Sequence, residues 1–312
     1  MPTLKSPRKG SLQFWPRKRA AKLLPRVNWS AIDSNKLKGF IAYKAGMVSV
    51  LVKDSTDKSM TAGKEIVIPA TVLECPAMKI FSVRFYKKGI VMSEVLAQNL
   101  DKELKKKLRV PKNYSKKIDD VKDYDDVKVI CYSDVKKTGI KKKPDVVEIG
   151  LGGSLDEKLN FVKENLGKEI SVADVFENGG LVDVRGVTRG KGFQGPVKRF
   201  GIKLRVHKSE KGVRKVGSIA PWHPARVTFR TPMAGQTGMN TRVVYNNKIL
   251  EIGSGDDGKF KDLKNYGNIK TNYILVKGSV QGPAKRQVVL TNPLRETKKT
   301  KKKSYEVLGV MQ

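Results

Sequence analysis

Cysteine and histidine are almost missing from this sequence: Cys75 and Cys131, His207 and His223 are the only ones in 312 residues. Two cysteines that far apart make neither a disulfide framework nor a four-ligand zinc site. Each histidine sits among cations, with no neighbouring carboxylate or cysteine, so a hydrolytic triad or a metal centre has no starting point. No run of about 18 apolar residues occurs, so no segment reads as a membrane-spanning helix. No basic stretch is paired with an amphipathic apolar face, as binding to a membrane surface requires. The N-terminus is basic but lacks the apolar core of a secretory signal, and the expected location is the cytoplasm. Acids are also scarce, 30 against 64 Lys and Arg.

What remains is a strong cationic excess on a chain that still has a core. The formal net charge is +34, and 39% of residues are hydrophobic. An excess of this size is the footprint of a polyanion binder, because neutralising phosphates releases condensed counterions.

Residues 1–30 hold eight bases (Lys5, Arg8, Lys9, Arg17, Lys18, Arg19, Lys22 and Arg26) and no acid. Pro2, Pro7, Pro16 and Pro25 break this tail into extended pieces, and Phe14, Trp15 and Trp29 are interleaved. Rings among cations favour docking on RNA, with stacking on bases while Arg and Lys reach phosphates. Then Gly39 to Val52 reads as two strands meeting at a glycine turn, followed by strands at Ile66 to Leu73 and Lys79 to Tyr86 across the Cys75-Pro76 break. Short strands at this spacing suggest a small antiparallel barrel.

The next region is richer in acids. Ser93 to Leu108 has helical periodicity, Val127 to Tyr132 reads as a strand, and Asp119 to Asp126 as a solvated acidic turn lacking the Gly and terminal Glu of a calcium loop. Gly150, Gly152 and Gly153 precede a helix at Ser154, whose pairing with Glu157 is a capping box; no Gly-Lys-Ser/Thr follows, so a phosphate loop is not expected. Strand texture returns at Lys248 to Ile252, Tyr273 to Val276 and Arg286 to Leu290, before a basic run at Lys298 to Lys303.

Between these strands lies the stretch 183–242. After Asp183 its only acid in sixty residues is Glu210, glycines recur, and no apolar pattern lasts long enough to build a core. Such a segment needs an anionic partner to order it. It contains Gly190-Lys191-Gly192-Phe193-Gln194-Gly195, a literal dinucleotide fingerprint. Pro196, Lys198 and Arg199 then stand where an apolar helix face should pack, so the glycines are read instead as close backbone approach to a phosphate chain. Trp222, between Pro221 and His223-Pro224, is read as a stacking or wedging residue. A modifying enzyme would bind a dinucleotide or S-adenosylmethionine stoichiometrically, and a free RNA chaperone would have no stable residence on an RNA–protein particle. No catalytic constellation supports the first, and the barrel is superfluous for the second.

The spaced pattern Phe176, Asp183, Gly186, Thr188, Gly190-Lys191-Gly192, Gly195 and Arg199 resembles the defining motif of large-subunit ribosomal protein three. Pro7-Arg8-Lys9-Gly10-Ser11-Leu12, Tyr43-Lys44-Ala45-Gly46-Met47, Lys142-Lys143-Pro144-Asp145, Ile219-Ala220-Pro221-Trp222-His223-Pro224, Gly235-Gln236-Thr237-Gly238 and Val276-Lys277-Gly278-Ser279-Val280 resemble the same family, in its order. The basic N-terminus and the acidic insert resemble its archaeal and eukaryotic branch.

The resemblance implies a mainly β fold with an α/β insert: a six-stranded translation-protein-type β-barrel carrying long basic extensions. The implied organisation is a basic extension (1–37), first barrel part (38–92), α/β insert (93–182), strand and RNA-penetrating arm (183–247), closing barrel part (248–295) and basic tail (296–312). It also implies a structural, non-enzymatic constituent of the large ribosomal subunit that binds its RNA near the 3′ end, acts early in assembly and braces RNA near the peptidyl-transferase centre. Neighbours would be large-subunit proteins fourteen and twenty-four-e, with no cofactor, metal, membrane or homo-oligomer. Eukaryotic members carry a modified histidine where this chain has Glu210, so that modification is not expected. The expected RNA-contacting residues are Arg8, Lys9, Arg17, Lys18, Arg19, Arg189, Lys191, Lys198, Arg199, Lys203, Arg205, Lys208, Lys211, Arg214, Lys215, Trp222, His223, Arg226, Arg230, Gln236, Arg242 and Lys277. Gly190, Gly192 and Gly195 are expected to provide close backbone approach.

Overall fold

The computed structural model describes residues 7–34, 36–111 and 116–311. Pro2 and Lys5 of the basic tail lie outside the described residues. In chain order the strands and helices are β1 (Gly39–Asp54), β2 (Glu65–Glu74), β3 (Met78–Lys87), β4 (Ile90–Leu96), β5 (Asp126–Ser133), β6 (Val146–Gly150), α1 (Leu155–Asn165), β7 (Leu181–Val187), β8 (Phe193–Gln194), α2 (Pro196–Phe200), β9 (Gly235–Gln236), β10 (Thr241–Gly253), β11 (Tyr273–Lys277), β12 (Gln287–Thr291), α3 (Lys298–Lys301) and β13 (Tyr305–Met311). The fold is mainly β. It divides into a larger unit, 23–186 with 242–312, and a smaller one that joins 1–22 to 187–241.

The larger unit holds two sheets. The first runs β12-β7-β10-β11-β2-β1-β13, and β12 pairs with β1 as well. The long strand β1 serves three partners, facing β12 through residues 39–43, β2 through 43–53 and β13 through 49–54. Its alternating Val48, Val50 and Val52 are buried while Met47, Ser49 and Lys53 are exposed, the period-two pattern of a half-buried strand. The second sheet is β4-β3-β5-β6, all antiparallel. Helix α1 packs Val162 into the apolar cluster shared by both sheets, with Phe40, Tyr43, Val83, Phe85 and Val129.

Two buried carboxylates tie the larger unit together. The Tyr43 hydroxyl on β1 donates to Asp145 at 2.6 Å and shares a 2.7 Å hydrogen bond with Ser133 of β5. Burial, and then the Asp145 charge, push the Tyr43 hydroxyl well above its ordinary range. Asp145 also pairs with Lys141. Glu74, fully buried at the end of β2, accepts the backbone N–H groups of Lys270 (2.9 Å) and Thr271 (3.0 Å) and the hydroxyls of Thr271 and Tyr266. Those donors replace the water a buried carboxylate loses.

The strands expected after Cys75 and around residues 130, 250, 275 and 288 are present, as is the capped helix. The Ser154 hydroxyl accepts from Glu157 N–H at 3.4 Å, and the Glu157 carboxylate accepts from Ser154 N–H at 2.9 Å. Three expectations need correction. Gly39 to Val52 is not a hairpin: β1 runs through Gly46, with the register against β2 slipping between Lys44 and Gly46, a bulge rather than a turn. Ser93 to Leu108 is not an α-helix. Residues 90–96 pair with β3, and a short 3-10 turn, Lys102–Lys106, follows. The leucines spaced four apart, Leu96, Leu100, Leu104 and Leu108, still meet in one cluster around buried Leu104, with Phe81, Ile130 and Tyr132. Finally, the C-terminal region is not only a tail, because 305–311 form β13 against β1.

The acidic turn is held by internal partners. Asp119 pairs with Lys163, Asp126 with Lys158, and Asp125 accepts the Lys88 N–H.

Candidate nucleic-acid interface

The smaller unit starts where β7 ends. Its base is a narrow two-stranded ladder: Thr188 N–H donates to Asn240 O (2.9 Å), Lys191 N–H to Thr237 O (2.9 Å) and Thr237 N–H to Gly192 O (2.9 Å), leading into the β8–β9 pair. Glycine is required here for internal reasons. A Cβ on Gly238, where φ is +77°, would lie 2.0 Å from Arg189 O, and one on Gly190 would lie 3.0 Å from the Met239 side chain. Gly192 and Gly195 have nothing within 4 Å of a Cβ, leaving their surface open to an outside partner.

Beyond the ladder, Pro196 begins α2 at the position where its missing N–H costs nothing, and Gly201, left-handed at φ +63°, ends it. Arg199 turns inward from this helix, donating from Nη1 to Met233 O (2.8 Å) and from Nε to Gln236 O (3.2 Å). Burial lowers its pKa, yet a guanidinium stays charged at any physiological pH. Gly235 permits this, since a Cβ there would lie 2.8 Å from the guanidinium. Arg205 donates to Val216 O (2.5 Å) and closes a turn in the distal part.

The N-terminal tail belongs to the same unit. Arg8 donates to Arg230 O (2.7 Å), Arg19 to Gln236 Oε1 (3.3 Å) and Ala20 N–H to Met239 O (2.7 Å). Trp15 meets Phe229 edge-on at 5.2 Å, and the Arg17 guanidinium lies 5.2 Å from the Trp15 ring and 4.4 Å from that of Phe200. These contacts are cation–π and aromatic rather than a buried core.

Of the residues expected to contact RNA, the structure brings Arg8, Lys9, Arg17, Lys18, Arg19 and all those from Arg189 to Gln236 into this one unit. Arg189, Lys191, Lys198, Lys203, Arg205, Lys208, Lys211, Arg214, Lys215, Arg226 and Arg230 are exposed, as are Trp222 (87%) and His223. No cation of 187–241 pairs with an acid among the described residues. Arg17, Arg199 and Gln236 are committed partly to internal contacts. Arg242 and Lys277 lie in the larger unit, where the Lys277 amine donates to the Tyr305 hydroxyl at 2.6 Å over its ring. Phe193, 77% exposed between the open Gly192 and Gly195, and Phe229, 55% exposed, were not anticipated. The signal was present: an aromatic inside a basic, glycine-rich stretch has no core to enter.

Among the described residues of the smaller unit, only Val187, at its boundary, is buried. Across the whole unit the sequence places 19 Lys and Arg against one acid. An uncompensated cationic surface bearing exposed rings and open glycines suits phosphates and unstacked bases. Among the described residues no group of His, Cys, Asp or Glu is arranged to hold a metal, and no helix is long and apolar enough to cross a membrane.

Comparison with known proteins bears on the same residues. The sequence profile of the family described as ribosomal protein L3 matches residues 1–309. The large ribosomal subunit protein uL3 of Methanocaldococcus jannaschii is 45% identical over 306 residues, covering 93% of this chain and 91% of its own length. Those of Methanobrevibacter smithii (45% over 316 residues, 94% and 93%) and Methanococcus vannielii (47% over 307 residues, 93% and 91%) are similarly close. With the profile spanning both units and the relatives matched over almost all of their length, this chain belongs to the ribosomal protein L3 family.

Proposed function

We propose that this chain, from a family of structural rather than enzymatic components of the cytoplasmic large ribosomal subunit, binds large-subunit RNA directly through its smaller unit and braces it. The observation that carries this is the pairing of extreme charge with the lack of a core in 187–241: one acid, Glu210, among twelve Lys and Arg, and nothing buried beyond Val187. The exposed Arg189, Lys191, Lys198, Lys203, Lys208, Lys211, Arg214, Lys215, Arg226 and Arg230 neutralise phosphates where RNA helices crowd together. Gly192 and Gly195 admit the RNA backbone, while Trp222 and Phe193 stack on bases. Arg17 and Arg199 act mainly by holding tail and arm in shape, and Lys277 and Arg242 serve RNA from the larger unit.

The finer assignments follow the family's pattern. The RNA site lies near the 3′ end of the large-subunit RNA, binding supports early assembly, and the Trp222 region reaches towards the peptidyl-transferase centre. The protein neighbours are large-subunit proteins fourteen and twenty-four-e. We also take β12, β7, β10, β11, β2 and β1 to close as a six-stranded barrel, with 93–182 as its α/β insert. The additional β12–β1 pairing supports closure, since it gives each of those strands two neighbours. A barrel would hold β7 and β10, the two ends of the arm, at fixed spacing.

The test is binding of the full chain to transcripts of the 3′ and 5′ portions of large-subunit RNA across a salt series. The reading predicts preference for the 3′ portion and a steep fall of affinity with salt. Equal binding to both portions overturns the 3′ assignment, and a flat salt dependence overturns the phosphate mechanism.

A further inference from the structure

One turn of the larger unit carries a chemistry of its own. Asn178-Gly179 is the only Asn-Gly pair in the 312 residues. It forms the corner of the turn 177–180, closed by a hydrogen bond from Gly180 N–H to Glu177 O at 3.1 Å, just before β7. Gly179 takes the left-handed conformation, φ +73°, that such a corner reserves for glycine. Both residues are exposed, and a Cβ at position 179 would meet nothing within 4 Å. Among the described residues the Gly179 N–H donates to no acceptor. Strand β10 fastens the turn through two hydrogen bonds: Ile249 N–H donates to Gly180 O at 2.9 Å, and Ile252 N–H to Asn178 Oδ1 at 2.8 Å.

The amide nitrogen that follows an asparagine can close a five-membered ring on that side chain, and glycine leaves the nitrogen unhindered. We propose that Asn178-Gly179 is a self-modifying site, at which the folded chain converts its own asparagine to aspartate or isoaspartate. Solvent base takes the Gly179 amide proton, and the nitrogen attacks Asn178 Cγ. The bond from Cγ to the side-chain nitrogen then breaks, ammonia leaves with the proton, and a succinimide remains. Water opens either carbonyl of the ring, giving aspartate or, with the chain rerouted through the side chain, isoaspartate. The net change is amide plus water to carboxylate plus ammonium, with no oxidant or reductant. Negative charge develops on Asn178 Oδ1 during the attack, and the Ile252 N–H already donates to that oxygen. Isoaspartate adds a carbon to the backbone between 178 and 179 and withdraws the oxygen that Ile252 holds, so the modification unfastens the turn from β10. The inference is independent of RNA binding, so either can fail alone.

The test incubates the full chain in mildly alkaline buffer, folded and in guanidinium chloride, and follows each asparagine by peptide mass spectrometry. Exchange of the amide for a carboxyl adds about 1 Da. Methyl transfer from S-adenosylmethionine by an isoaspartyl carboxyl methyltransferase reports the rearranged product. The expected result is a gain confined at first to the peptide holding Asn178, at least as fast in the folded chain as in guanidinium chloride. Asn178→Gln, whose longer side chain cannot close the five-membered ring, should lose both signals. In the aged chain the Ile252 amide should lose protection against hydrogen exchange, while β1 keeps its own. No gain at Asn178, a gain that is faster after unfolding, or one spread over the other asparagines each overturns the proposal.

Discussion

The two units carry nearly equal net charge on very different foundations. Residues 1–22 and 187–241, 77 in all, hold 19 Lys and Arg against one acid, a net of +18; the remaining 235 residues hold 45 against 29, a net of +16. In the larger unit many bases are answered by acids, as in Arg84–Glu94 and Lys158–Asp126, and apolar strands supply a core. In the arm, cations are unanswered, apolar side chains such as Phe193, Val206 and Trp222 face outward, and shape comes from backbone ladders and glycines. The larger unit is therefore stabilised by its own burial, whereas the arm has no buried core of its own among the described residues.

The largest contrast should appear in RNA binding. Changing Lys208, Lys211, Arg214 and Lys215 to Gln should lower the slope of log affinity against log salt by about 3, at roughly 0.7–0.9 per phosphate contact. The same change at four exposed lysines of the larger unit, Lys58, Lys64, Lys122 and Lys168, should leave the slope nearly unaltered. Equal effects would erase the distinction between the units.

Stability of the free chain should reverse the ranking. Phe40→Ala, at a fully buried core position, should cost about 3–5 kcal/mol in denaturant unfolding. Phe193→Ala in the arm should stay within roughly 0.5 kcal/mol, because its ring is already in water. Tyr43→Phe should cost about 1–2 kcal/mol, since Asp145 loses a buried donor but keeps Lys141.

The smallest effect concerns acid. Hydrogen bonds from Thr56 and Thr61 hold the Asp54 carboxyl well below the usual carboxylate range. A depressed folded pKa gives stability that is complete above the unfolded value, near 4, and is lost as pH falls through the folded one. Asp54→Asn should therefore lower stability at neutral pH and flatten the acid limb below about pH 4, so that its difference from the unsubstituted chain shrinks as pH falls. An unchanged acid limb would show that Asp54 is not a linked group.

Legibility in the sequence followed the same division. Strands β2, β5, β11 and β12 are short β-branched runs between breakers, and α1 announces itself by its capping box, because those signals are local. The region of β4 misled because leucines four apart imitate a helix face. The demand of β3 for an antiparallel partner is not local and overrode that pattern. Strand β13 was hidden behind the lysines of 298–303, although Tyr305, Val307 and Gly309 alternate as a strand should. Charge and missing periodicity alone located the arm. The inward turn of Arg199 and the use of Arg17 between Trp15 and Phe200 depend on partners far along the chain, which no spacing rule reveals.

The central claim is that the larger unit is ordered by its own core and the arm by RNA. Amide hydrogen exchange on the free chain, then on the chain bound to large-subunit RNA, tests it most directly. The account predicts strong protection in β1, β2 and β11 in both states. It predicts little protection in 196–234 until RNA is present. An arm as protected as the sheets before RNA is added would contradict it.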